Sequence, residues 1–585
     1  MKAFTEPLLS LAGFEEMTKT AEKSSGLISV TGCIDAQKSQ MIYAFGGHRK
    51  NKLIVTFGEQ KAKELYDEYS FFDKEVVYYP SKDVLFYQSD IRGNLLTAER
   101  IRALKAIREQ ESVTLVTTFD ALMNTMAPIE KMWENVLTLE QGQLLDLKEI
   151  QAALIRMGYE KEYQVQTMGQ FSVRGGILDV FPLTEENPIR IELWGDEIDT
   201  IRYFDCESQK SIENTDRVSI YPAAELVLSD EEKAGGIDKL KAEAKRVSDK
   251  LRKQMKTEEA HRVTVMADEL TEEWGELSMY AGMDAFLSYF FDERVGLLDY
   301  FNPSDSLIFF DELTRCAEQG KLTETEFSES MKQRLAMGYI LPGQMNGLFT
   351  EKEIVAKLGK YSCIALGALD NKANGLHQLG SYGIHCQSVS PYNNSFELLI
   401  KDLKRYKKNG YRVILLSGSR TRAKRLSEDI TDQGITCFYT ENYDHELFEG
   451  QIMVCYGKVR RGFEYPILKF AVITESDIFG AQQKKKKRHR TYEGEKIQSF
   501  TDLSVGDYVV HENHGLGIYR GIEKLEVDKK VKDYIKIEYQ GGSNLYILAT
   551  QLDMIQKYAG KDARKPKLNK LGGQEWTRTK NRVRG

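Results

Sequence analysis

The sequence has no CxxC pair. Its seven cysteines stand apart at positions 33, 206, 316, 363, 386, 437 and 455, which gives no zinc site and reads as reduced thiols in a cytosol. No apolar run approaches the roughly 20 residues of a membrane span. The opening stretch, MKAFTEPLLSLAGFEEM, carries acids and lacks the apolar core of a signal peptide, so the expected location is cytoplasmic. No intact G-x-x-x-x-G-K-[ST] occurs in the 585 residues, so no complete phosphate-binding loop is written in the chain. The net charge of −7 argues against whole-surface coating of nucleic acid.

What is present is a long chain of ordinary globular composition. A length of 585 residues exceeds one hydrophobic core and implies roughly three to five domains. The charge is uneven: nine basic residues lie between Lys561 and Arg584, against Asp562 and Glu575.

The chain is organised around Phe171–Asp205. Ile177, Val180 and Phe181 follow the Arg174-Gly175-Gly176 turn as a first strand. Ile189, Ile191 and Leu193 then alternate with Arg190, Glu192 and Trp194, the period of a strand with one buried face. Gly195-Asp196 signals a hairpin and Ile198–Phe204 the return strand. Alternation sends Arg190 and Trp194 to the face opposite the buried one. An arginine beside a tryptophan has the composition of a protein-binding hot spot, and equally that of a solvated strand with a capping aromatic.

Residues 1–135 alternate short apolar strands with helical patterns, the signature of a parallel α/β sheet. The first strand leads into GCIDAQKS, where Gly32, Lys38 and Ser39 fit a phosphate loop and Gln37 replaces its second glycine. The vestigial reading is favoured, because that position needs a backbone approach that a side chain obstructs. Residues 136–212 hold the β unit. Residues 213–350 return to α/β character, and the strand Leu307–Phe310 runs into Asp311-Glu312, the placement a nucleotide hydrolase uses for magnesium. Together these read as one split, degenerate nucleotide site: Gly32, Gln37, Lys38, Ser39, Asp311 and Glu312.

Residues 351–480 read as a further α/β unit of unknown role. Its Ser419–Arg425 cluster reads as a solvated helical turn rather than a phosphate site. Residues 481–498 form a basic linker. Residues 499–560, with short bent strands at Tyr508–His511, Tyr534–Tyr539 and Leu545–Leu548, indicate a small SH3/Tudor-like barrel. His511 and His514 have turn or core roles, since no further ligand set accompanies them. Residues 561–585 are a basic linker and the start of a helix.

Three of these stretches resemble known families. FSVRGGILDVF and IRIELWGDEIDTIRYFD resemble the small second domain of the excision-repair subunit UvrB and of the transcription-repair coupling factor (Mfd) family. In both, this domain binds the damage-sensing ATPase UvrA, and the contact positions match at Arg174, Arg190 and Trp194, the last as one aromatic for another. The wording LLDYF…LIFFDE resembles the corresponding UvrB motif. It implies a UvrB-like degenerate RecA-type α/β domain with the β-rich domain inserted. Tyr78–Arg92 is short where UvrB carries a long aromatic hairpin that wedges into DNA.

DYVVHENHGLGIYRGIE and KDYIKIEY resemble the RNA-polymerase-interacting domain shared with CarD-type regulators. In that family the strand matching Tyr534–Tyr539 adds to the polymerase β subunit, which implicates Tyr534, Ile535, Lys536, Ile537 and Glu538, with Ile535 central. Ile547-Leu548-Ala549 departs from the family's Val-Pro-Val. KPKLNKLGGQEWTRTKNRVRG matches the start of a helix that leads, in the family, to an ATP-driven DNA translocase.

The resemblance implies the N-terminal portion of a coupling factor, truncated before its motor. Its role would be an adaptor that recruits UvrA and docks on the RNA polymerase β subunit in transcription-coupled nucleotide excision repair. The full-length family protein displaces stalled polymerase by ATP-dependent translocation. No catalytic residue, metal or cofactor is expected in this chain: ATP and Mg2+ belong to the absent motor, as does most contact with double-stranded DNA. A monomer without membrane contact is expected. Two alternatives stay open: a UvrB-like ATPase using Lys38, Ser39, Asp311 and Glu312, and a CarD-like transcription regulator.

Overall fold

The computed structural model describes residues 1–46, 50–82, 94–206, 208–276, 283–369 and 374–480. In the C-terminal part it describes 494–496, 503–511, 515–527, 530–540, 543–548, 555–558 and 568. The expectations for Tyr78–Arg92 beyond residue 82, for residues 481–493 of the basic linker, for His514, for Ala549 and for nearly all of 561–585 lie outside the described residues.

The first unit opens with strands β1 (Gly26–Thr31), β2 (Asn51–Thr56), β3 (Val77–Tyr79) and β4 (Thr114–Thr118). A small β domain interrupts it. That domain holds β5 (Leu137–Glu140), β6 (Glu160–Lys161), β7 (Gln170–Arg174), β8 (Ile177–Val180), β9 (Ile189–Trp194), β10 (Glu197–Phe204), β11 (Ser211–Thr215) and β12 (Arg217–Ile220). The first unit then resumes with β13 (Ser306–Asp311), β14 (Ser362–Leu366) and β15 (Gln378–Gly383). These seven strands make one parallel sheet in the order β15-β1-β14-β13-β2-β4-β3. Its inner strands are largely apolar on both faces because both are covered, while the edge strand β15 is polar. Leu53, Leu115 and Phe310 enter one core, and Ile28, Ile54 and Phe309 the other.

The sheet corrects two expected boundaries. Strands β14 and β15 flank β1, so the first unit runs to about residue 383 rather than 350. Strand β12 pairs with β5, so the inserted domain continues past 212 to at least Ile220.

The inserted domain is a six-stranded sheet ordered β11-β10-β9-β8-β7-β6, antiparallel except for the β6–β7 pair. The helix Leu147–Arg156, capped by the Asp146 carboxylate, sits over a core of Leu154, Phe171, Leu178, Val180, Ile189, Ile191, Ile198 and Ile201.

The third unit holds β16 (Gln387–Ser388), β17 (Arg412–Ser417), β18 (Phe438–Tyr439), β19 (Ile452–Tyr456), β20 (Phe463–Tyr465) and β21 (Phe470–Thr474), in the order β16-β20-β21-β17-β19-β18. Val413, Leu415, Val454 and Ile473 face a core under its own helices. The opposite residues, Ile414, Leu416, Met453, Cys455 and Val472, share a core with Phe4, Ile28, Val30 and Met41 of the first unit. The Tyr465 hydroxyl donates to Gln40 Oε1 at 3.2 Å, and the Gln40 amide donates to the Phe4 carbonyl. The Phe4 ring meets Phe71 and Phe72 edge-on at 5.5 and 5.7 Å. The two α/β units are therefore joined by an interior, not by a linker.

The last unit contains β22 (Gly494–Lys496), β23 (Tyr508–His511), β24 (Gly515–Val527), β25 (Lys530–Glu538), β26 (Asn544–Leu548) and β27 (Ile555–Tyr558), in the order β22-β27-β23-β24-β25-β26. Gly494–Lys496, assigned above to the linker, is a strand of this sheet. The register of β24 against β25 shifts between Tyr519 and Ile522, where Gly521 has φ +105°, and this bulge lets one 13-residue strand bend.

Phe4→Ala should cost about 3–5 kcal/mol. Because its pocket belongs to both α/β units, hydrogen exchange should accelerate in β1 and β17 together. Acceleration confined to one sheet would refute the shared interior.

Candidate functional sites: a closed nucleotide loop, an arginine–tryptophan face and a barrel strand

Gly32 ends the first strand at φ +77°, and a Cβ there would stand 2.0 Å from the Ile384 carbonyl oxygen. Only glycine fits that turn. The following helix, Asp35–Phe45, buries Gln37, Lys38, Ser39 and Gln40 alike. The Lys38 ammonium contacts Asp311 Oδ1 at 2.5 Å, Asp35 Oδ1 at 3.0 Å and Glu312 Oε1 at 3.1 Å. Thr56 donates to the other Asp311 oxygen at 3.0 Å. Burial disfavours the Lys38 charge, but Asp311, Asp35 and Glu312 outweigh it and hold the ammonium above its ordinary value. Burial likewise opposes the Asp35 charge, yet Lys61 and Lys38 hold that carboxyl down to about 2.

The sequence-predicted residues Gly32, Gln37, Lys38, Ser39, Asp311 and Glu312 do converge. Asp35 and Thr56, which complete the cluster, were missed. The interior is closed: Lys38 is 1% exposed, and the Ser39 hydroxyl is buried without a hydrogen bond. The Gln37 amide is buried and makes no hydrogen bond of ordinary geometry, its polar neighbour being the Cys33 thiol.

The second candidate lies on one face of the inserted sheet. Asp179 opposes Arg190 across β8–β9, and Ile177 is paired with both Arg174 and Glu192. Asp179 is 1% exposed. Its Oδ1 receives Arg190 Nε at 2.7 Å, and its Oδ2 receives Arg190 Nη2 at 2.9 Å and Arg174 Nη2 at 2.7 Å. Arg190 also donates to Gln209 Oε1 at 2.8 Å and lies 4.2 Å over the Phe204 ring. Hydrogen bonding to Asp179 raises Arg190 above its ordinary value. Trp194, at the end of the same strand, is 85% exposed.

Arg190 and Trp194 thus share a face, as the alternation predicted, and the strand register adds Arg174 to it, but the three differ in kind. Trp194 is bare, Arg174 is partly open, and Arg190 is largely internal. Asp179 is the residue that sequence reasoning missed. Its signal was a lone acid in the apolar strand ILDV, in register with the arginines.

The third candidate, Tyr534–Glu538, requires a correction. Strand β25 is paired on both sides, with β24 and with β26, so its backbone has no edge to offer a partner. Ile535 and Ile537 are fully buried in the barrel core. Only Tyr534, Lys536 and Glu538 lie on the outer face. Among the described residues β26 pairs only with β25, which leaves its outer edge open. His511 is buried, and no group of metal-ligating side chains occurs among the described residues. No helix among them is long and apolar enough to cross a membrane.

Comparison with known proteins assigns two of these units. Residues 137–226 match the UvrB interaction domain, and residues 503–559 match the CarD-like/TRCF RID domain. The chain is thus of the class that carries both domains on an α/β scaffold. Over nearly its whole length it is similar to proteins named transcription-repair-coupling factor. That of Bacillus subtilis (strain 168) is 32% identical over 91% of this chain and 45% of its own length. That of Staphylococcus haemolyticus (strain JCSC1435) is 30% identical over 95% and 47%, and that of Staphylococcus aureus (strain NCTC 8325 / PS 47) is 29% identical over 97% and 48%. The chain spans about half the length of these curated relatives.

Arg190→Ala should destabilise the inserted domain by about 1–3 kcal/mol, because it leaves Asp179 Oδ1 buried without a partner and Arg174 alone to offset the carboxylate. Trp194→Ala should stay within about 0.5 kcal/mol. Urea denaturation of both variants checks this, and equal costs would refute the division of roles.

Proposed function

We propose that this chain is a two-ended adaptor of transcription-coupled nucleotide excision repair. The inserted β domain recruits UvrA, with Trp194 and Arg174 as direct contacts and Arg190 positioned by Asp179. The C-terminal barrel docks on the RNA polymerase β subunit. The observation that carries this reading is the presence in one chain of a UvrB interaction domain and a CarD-like/TRCF RID domain.

Docking on polymerase uses the open edge of β26 and the outward row Tyr534, Lys536 and Glu538. Edge addition supplies main-chain hydrogen bonds and the adjacent row supplies selection. The Gly32–Ser39 loop takes no part in nucleotide chemistry. Its lysine is consumed by Asp311, Asp35 and Glu312, and Gln37 replaces the second glycine. ATP-driven translocation is assigned to the full-length coupling factor and to no residue described here.

Parallel capture of the whole chain on immobilised UvrA and on the polymerase β subunit tests the adaptor. Both should retain it. Tyr534→Ala should weaken only the polymerase arm without moving the melting of the barrel, whereas Ile535→Arg should unfold the barrel by burying a charge. Retention by polymerase alone would favour the transcription-regulator reading.

Equilibrium dialysis against ATP with Mg2+ should show no binding. Binding or turnover that Lys38→Ala abolishes in a folded variant would reinstate the UvrB-like ATPase.

A further inference from the structure

Gln209, in the loop that joins β10 to β11, holds a left-handed backbone at φ +59°. Glycine adopts that conformation without the crowding that a Cβ brings, so the loop backbone gains nothing from a glutamine. The side chain is what uses the position. Its Oε1 accepts from Arg190 Nη2 at 2.8 Å, and its Nε2 donates to the Cys206 carbonyl at 2.8 Å. The loop holds the residue in place: Gln209 N donates to the Asp205 carbonyl at 2.8 Å, and Ser208 N to the Asp205 carboxylate at 2.7 Å.

Arg190 is thereby restrained from three elements. Asp179 on β8 accepts from Nε and Nη2, the Phe204 ring at the end of β10 lies 4.2 Å from the guanidinium carbon, and Gln209 takes the other hydrogen of Nη2. A guanidinium has five N–H donors in a rigid fork, and these contacts engage the ones on Nε and Nη2. The pair on Nη1 has no partner among the described residues, and the side chain keeps 12% of its surface open. Without Gln209, Asp179 would be the only acceptor holding the plane, and its Oδ2 is already shared with Arg174 Nη2 at 2.7 Å. The hydrogen freed on Nη2 would then compete with Nη1 for any acceptor that a partner brings.

We propose that Gln209 is a positioning residue of the arginine–tryptophan face: it saturates Arg190 Nη2, so that Nη1 alone, in a fixed direction, meets a hydrogen-bond acceptor of the docking protein. The left-handed backbone of Gln209 is local strain tied to that side-chain bond. The identity of the docking protein rests on the UvrA reading above; the restraint on Arg190 does not.

The test compares the whole chain with Q209G, which suits the loop backbone and removes the side chain; thermal melting checks that the inserted domain stays folded. UvrA affinity should fall about tenfold, the size of one hydrogen bond to a charged group. In the R190K background, where the lysine offers Asp179 a cation but no fork, Q209G should change affinity by less than about twofold. A tenfold loss in both backgrounds, as a merely structural loop would give, overturns the proposal, and so does no loss in the first. A second readout needs no partner. Phenylglyoxal condenses on both Nη atoms of an arginine, and peptide mass spectrometry should find Arg190 labelled severalfold faster in Q209G, with Arg202, held by Glu192, unchanged. If the wild type does not bind UvrA, the partner reading fails and labelling decides alone: a faster rate at Arg190 only supports the restraint, whereas equal rates, or a faster rate at Arg202 as well, overturn it.

Discussion

The Lys38–Asp311 ion pair joins residues 273 positions apart, and the central sheet is built around it. The inserted domain separates β1–β4 from β13–β15, so the sheet closes only if two distant segments find the same register. Lys38 reaches from the helix after β1, Thr56 from the end of β2, and both meet the Asp311 carboxylate at the end of β13. Removing Lys38 would leave the buried Asp311 carboxylate with the Thr56 hydroxyl and no cation partner among the described residues, which is far costlier than never having had the pair. The residue types of a nucleotide site therefore remain coherent here as a staple. Their opposite charges satisfy one another within the cluster.

The same device recurs in the inserted domain with a different consequence. Asp179 is as buried as Asp311, but its partners are arginines on a sheet face rather than a lysine inside a core. The pairing fixes two guanidinium planes and lowers their free charge. What remains available is direction rather than strength: a partly open Arg174 and a bare indole. Complementarity of that kind governs orientation and partner choice more than raw affinity.

Much of this was legible in the sequence, for identifiable reasons. Strands such as LIVTF and VILLS are apolar throughout because both faces are covered, and such runs stand out locally. The alternation in IRIELW placed Arg190 and Trp194 correctly. The boundary at 350 failed because β15, QLGSYG, is a polar edge strand with two glycines, and its pairing with β1 is a long-range fact that no local pattern contains. Asp179 escaped because a single acid in a short strand carries no periodic signal. The strand expected at Tyr534–Tyr539 is present as β25. What failed was the expectation that this strand adds to a partner with Ile535 central, because β25 is paired on both sides and Ile535 faces the barrel interior.

The two surfaces proposed for recognition differ in physical kind. The inserted domain presents side chains on a sheet face, charged and strongly dependent on screening. The barrel presents a strand edge, where main-chain donors and acceptors pair with little dependence on salt or on the identity of every second residue. The two surfaces share no residue, and their interactions draw on different groups. Occupying one therefore consumes nothing that the other needs. On the adaptor reading proposed above, two protein partners are better served by two such chemistries than by two copies of one, since a surface that answers to charge cannot be mistaken for a surface that answers to backbone.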